Sequence, residues 1–72
     1  MSQKRYLYVV AFPSSKRPGF VWVEYVEPSR TRAEALACGL GRTGFVLSYP
    51  EAECPVVGQY LNVGLLEAAG LF

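Results

Sequence analysis

KRYLYVVAF (residues 4–12), PSSKRPG (13–19) and FVWVEYVE (20–27) read as two β-strands joined by a turn-rich loop, and this hairpin decides the fold. Successive strand side chains point to opposite faces, so Tyr6, Tyr8, Val10 and Phe12 share one side and Leu7, Val9 and Ala11 the other. In the second strand Phe20, Trp22, Glu24 and Val26 oppose Val21, Val23, Tyr25 and Glu27. The loop supplies Pro, Ser and Gly for the turn, with Lys16 and Arg17 at its tip. Placing Phe12 opposite Phe20 gives an aliphatic face (Leu7, Val9, Ala11, Val21, Val23) and an aromatic face (Tyr6, Tyr8, Phe12, Phe20, Trp22). An antiparallel sheet with one wet face alternates apolar with polar, and this one is apolar on both. Each face therefore needs a cover.

Downstream, Pro28 ends the second strand, and Thr31 with Glu34 forms the capping box T-R-A-E. A helix over 31–39 follows, with Ala33, Leu36, Ala37 and Leu40 as its buried stripe. Its small side chains suit close packing, which we expect on the aliphatic face. Gly39 and Gly41 end it, and GFVLSY (44–49) forms a third strand stopped by Pro50. A strand, helix, strand connection on one sheet is right-handed, which predicts the third strand antiparallel beside the first, in order 2-1-3. Residues 51–55 read as loop and 56–63 carry no clear period; LLEAA (65–69) is helical, with Asn62 as cap and Gly70 as stop. The fold class expected over residues 1–72 is thus a single small α+β domain, ββαβ with a mainly antiparallel sheet and a short C-terminal helical segment. Leu71 and Phe72 end the chain as bulky apolar groups that dock on the body or meet a partner.

Composition narrows the function classes. A 72-residue chain has a marginal core and often leans on a disulfide, a metal or a second subunit. Half of its residues are apolar (51%) and only 18% are charged, which excludes disorder and favours self-association. The net charge of +1 is too low for a generic polyanion binder. There is no His and every acid is Glu, which removes the usual proton shuttle, the commonest metal ligand and all His-dependent triads. Lys4 and Arg5 precede an apolar run, as in a signal peptide, but the run is short, aromatic and strand-like, so no export signal is read. No stretch approaches the roughly 20 apolar residues of a spanning helix. A cytoplasmic location follows as the expectation, with Cys38 and Cys54 reduced and buried as small hydrophobes.

Three local patterns bear on chemistry. Residues 39–44 match G-x-G-x-x-G, but here a helix ends and a strand begins, the reverse of a dinucleotide site; the string reads as a helix stop and turn. Glu51 and Glu53 follow a proline in a loop and read as solvated. Glu24 is the only charge on the aromatic face, where it marks a wet edge or pairs with an Arg. The cations are better organised: hairpin topology brings Lys4 and Arg5 near Arg30 and Arg32, and Arg32 sits at the positive end of a helix dipole unless Glu27 and Glu34 offset it.

These readings predict no enzyme, no cofactor and no metal, but a modulator or inhibitor that binds another protein, self-associates as a homodimer and does not enter a membrane. The runner-up is single-stranded nucleic-acid binding on the aromatic sheet with the basic end tracking the backbone. Candidate partner-binding residues are Lys4, Arg5, Tyr6, Tyr8, Phe12, Lys16, Arg17, Trp22, Glu24, Arg30 and Arg32. Three covers suit the aromatic face: the C-terminal segment, a second copy, or a ligand stacked on the rings.

Overall fold

The hairpin forms where the alternation places it. The computed structural model describes residues 5–39 and 44–71. In chain order these are β1 (Tyr6–Pro13), β2 (Phe20–Glu27), α1 (Arg30–Ala37), β3 (Phe45–Pro50), a 3-10 turn (Glu51–Glu53), β4 (Tyr60–Asn62) and α2 (Val63–Ala68). They make an α+β structure whose antiparallel sheet runs β3-β1-β2-β4. The three expected strands keep the expected neighbours, but the order 2-1-3 is incomplete because β4 pairs with β2 from Phe20 to Trp22. Three residues are too few to show a period, which is why 56–63 had no readable element.

Two features of the hairpin differ from the expectation. Phe12 lies opposite Trp22, not Phe20. The loop closes further out, where Ser14 donates its N–H to the Phe20 carbonyl (3.0 Å) and Phe20 donates to that of Arg17 (3.1 Å). A shift of two residues preserves the faces. The second difference does not: Val10 faces Tyr25 while Ala11 faces Val23, so Glu24 is the extra residue of a β-bulge. Beyond it the alternation reverses. Val26 joins Val9 on one face, whereas Tyr25 and Glu27 join Val10 and Tyr8 on the other.

Each face has its own cover, in the reverse of the expected assignment. Helix α1 lies on the face of Tyr8, Val10 and Phe12, burying Ala33 and Ala37 there with Leu36 and Val46 alongside. On the face of Val9, Ala11, Val21, Val23 and Leu47, which Leu61 of β4 extends, sit Leu66 of α2, Val63 and Leu71. Volume explains the exchange. A helix presenting alanines leaves room for the Phe12 ring, while a sheet surface of Val and Ala needs leucines above it to reach interior density. Leu71 thus docks on the body; Leu40 and Phe72 lie outside the described residues.

The α1 cap is Ser29, not the Thr31–Glu34 box. The Ser29 hydroxyl accepts from the Arg32 N–H (3.4 Å), and the helix starts at Arg30 because the chain turns directly after Pro28. At α2 the Asn62 side chain accepts from the Leu65 N–H (3.2 Å), and Gly70, with φ 74°, follows the helix, as expected from the sequence. Of the G-x-G-x-x-G string, 40–43 are outside the described residues. Gly44 has a packing role: it donates to the Ala37 carbonyl (2.9 Å), and a Cβ there would stand 2.8 Å from Cε1 of Phe12.

Candidate functional site

The expected binding residues separate into two ends of the sheet. At the loop end, Phe20 and Trp22 share the α1 side of β2 but extend past the helix, so α1 leaves them for another cover. Because β4 pairs with this end of β2, Tyr60 comes to stand opposite Trp22. Its ring meets Trp22 edge-on at 4.8 Å and Phe20 edge-on at 6.5 Å. The Arg17 guanidinium lies over the Tyr60 ring, 4.7 Å from its centroid, a cation–π arrangement. Gly58, with φ 94°, makes the turn that returns the chain beside Trp22. Between this cluster and the hairpin loop lies a shallow cleft of about 310 Å³, lined by Phe12, Ser14, Lys16, Trp22 and Tyr60 among others. Trp22 remains 36% exposed.

At the opposite end each described basic residue has a carboxylate. Arg5 pairs with Glu51 (3.8 Å), Arg30 with Glu34 one helical turn on (3.8 Å) and Arg32 with Glu27 (3.6 Å). Their field is largely cancelled locally, although exposed pairs of this kind contribute little stability. Arg32 keeps its place in the first turn of α1, offset by Glu27, which β2 carries to that side only because of the bulge. Tyr6 is exposed and lines a second cleft, of about 420 Å³, with Arg5, Leu7, Pro28 and Glu51. Tyr8 packs against the α1 cluster instead of presenting a free ring. Glu24 is half-buried at the bulge. Lys4 lies outside the described residues.

Tyr60 and Phe20 are the members of the loop-end cluster missing from the candidates named from sequence. The alternation Tyr60, Asn62 against Leu61, Val63 was the available signal, and β4 is only three residues long.

The thiols differ from the expectation. Cys38 is exposed and free, not buried. Cys54 is half-buried beside the core of the α2 face, its thiol directed to the Pro55 carbonyl (3.3 Å), and burial pushes its pKa up. The Tyr49 hydroxyl is also pushed up, first by burial and then by Cys54. A raised thiol pKa opposes nucleophilic use, since the thiolate is the reactive form. Among the described residues no group of three or more Cys and Glu is placed to hold a metal ion, and no helix is long and apolar enough to cross a membrane. No family model matches this chain, and no curated protein or solved structure matches it.

Proposed function

We propose that this protein is a non-catalytic interaction module, of the modulator or inhibitor type, which docks a protein partner at the Trp22–Tyr60 cleft and self-associates through a separate surface. The observation that carries the reading is the preassembled cluster of Trp22, Tyr60 and Arg17 at the mouth of the cleft. Trp, Tyr and Arg dominate interface hot spots, and rings already held by neighbours lose little freedom on binding. Self-association draws on the exposed apolar groups Phe45, Val56, Val57 and Leu65, none of which lines this cleft.

Nucleic acid is the weaker reading. Base stacking along the sheet needs several free ring faces. Here α1 covers Tyr8 and Phe12, Arg17 occupies one face of Tyr60, and Arg5, Arg30 and Arg32 each face a glutamate.

Trp22 is the only tryptophan, so its fluorescence reports the site directly. With a partner captured by the wild-type protein and then purified, Trp22→Ala weakens binding about 30-fold or more, the effect of losing a hot-spot residue. An Arg30→Ala control leaves it unchanged. Micromolar, salt-sensitive quenching by a single-stranded oligonucleotide would transfer the site to nucleic acid and overturn the protein reading.

A further inference from the structure

Among the described residues β3 forms an edge of the sheet, and its backbone pattern says which groups turn outward there. Glu51 donates its N–H to the Arg5 carbonyl (2.9 Å), and these two residues continue the register in which Leu7 faces Tyr49 and Val9 faces Leu47. Directly opposed pairs in an antiparallel ladder alternate between hydrogen-bonded and non-hydrogen-bonded. Phe45, Leu47 and Tyr49 therefore turn their backbone groups to β1, and Val46 and Ser48 turn theirs outward. Natural edge strands are blunted by charge, proline, bulges or brevity. The other edge, β4, is only three residues long. Along β3 there is no charge and no bulge in its pairing with β1, its one proline, Pro50, stands at the last position, and Phe45 is 38% exposed.

We infer that β3 is the self-association surface, pairing antiparallel with β3 of a second copy about a two-fold axis through Leu47. This rests on the self-association part of the proposed function and assigns it a place. The strand is complementary to itself in this register. Val46 meets Ser48 of the second copy and Ser48 meets its Val46, each pair exchanging two backbone hydrogen bonds, so every outward N–H and C=O of these residues is satisfied. Leu47 faces Leu47, and Phe45 faces Tyr49 of the second copy, an aromatic cross-strand pair.

Charge agrees with a second copy as the occupant. Among the described residues no like charges meet where the strands join. Arg5 alternates with Leu7 and Val9, placing it on the α2 side of the sheet, and it is 84% exposed. The two-fold carries it towards the Phe45 end of the first copy. There Glu67 rims an apolar groove of about 560 Å³ that Phe45, Leu47 and Leu71 also line. A six-residue strand about 20 Å long on a molecule 20 Å thick gives on the order of 400–500 Å² per copy, at the lower limit of specific interfaces, so the dimer is reversible.

Light scattering from micromolar to millimolar protein, with NMR hydrogen exchange at both extremes, tests the inference. The expected result is a concentration-dependent dimer in which the Val46 and Ser48 amides slow about tenfold or more on dimerisation, while the already bonded Leu47 amide changes little. A dimer whose Val46 and Ser48 amides exchange at the monomer rate places the contact elsewhere, overturning this inference but not self-association. A monomer at every concentration overturns both. Ser48→Pro, which removes an outward donor, is expected to be monomeric; a folded Ser48→Pro protein that still dimerises overturns the edge assignment. The exchange pattern of the unaltered chain decides independently of that variant.

Discussion

The two faces of the sheet are closed in opposite ways. On one, α1 lies close because its buried residues are Ala33 and Ala37, and Gly44 lets the chain pass against the Phe12 ring. On the other, the sheet supplies Val9, Ala11, Val21 and Val23 with the larger Leu47 and Leu61, and a six-residue helix with its C-terminal flank fills the space above them with Leu66 and Leu71. Closeness defines the first face and volume the second. A helix as short as α2 has little intrinsic stability, so its docked leucines hold it in place. The faces should accordingly fail to opposite substitutions, one to added atoms and the other to removed ones.

The largest effect belongs to the volume face. Leu47→Ala empties a site 2% exposed, at a cost of about 2–5 kcal/mol, comparable to the whole stability of a core this small. Urea titration followed by Trp22 fluorescence should find the variant largely unfolded without denaturant; a midpoint near wild type would mean the α2 face collapses to fill the hole.

Next comes the close face, where Gly44→Ala adds one methyl group against Phe12. Overpacking of this kind costs about 1–3 kcal/mol. Gly44→Ala combined with Phe12→Leu should recover part of that loss, and a double variant that loses the full sum would argue that the ring is not what the methyl meets.

A smaller effect distinguishes the faces without changing their size. Burial raises Cys54 above its ordinary 9.0 and Tyr49 above its ordinary 10.0, both on the α2 face. Between the ordinary and the raised value the folded chain keeps a proton that the unfolded chain has lost, so stability falls with rising pH. Their contribution is complete below about pH 9 and is lost as pH climbs through the raised values. Cys54→Ala should delay the onset of this decline, and an unchanged alkaline profile would remove the thiol from the account.

The smallest effect lies at the ion pairs. Arg32→Ala separates α1 from Glu27 at a surface site, and about 0–1 kcal/mol is expected by thermal unfolding. A larger loss would make the bulge-positioned Glu27 a true clamp on the α1 face.

What was legible beforehand followed the range of the interactions involved. The alternation of β1 and β3, the stripe of Ala33, Ala37 and Leu36, the Asn62 cap and the Gly70 stop are all set by neighbours within a few positions. The candidate site was half readable. Trp22, Phe12, Lys16 and Arg17 stood out as aromatic and basic residues around one hairpin, but their organiser, Tyr60, comes from a strand of three residues. The capping box at Thr31 was a correct pattern in the wrong frame, because Ser29 reaches the helix start first.

By itself the sequence determined a β-hairpin apolar on both sides, a helix with a small-residue stripe and a third strand, since each depends on local periodicity, while the place of that strand beside the first followed from the connection rule. Only the tertiary structure decided that Glu24 bulges, that Val26 and Glu27 thereby exchange faces, and that the alanine helix covers Tyr8, Val10 and Phe12 while Leu66 and Leu71 cover the aliphatic side. The physical reason is that a sheet with two apolar faces accepts a cover on either. Local pattern is silent on that choice, and matching the volumes of sheet and cover resolves it.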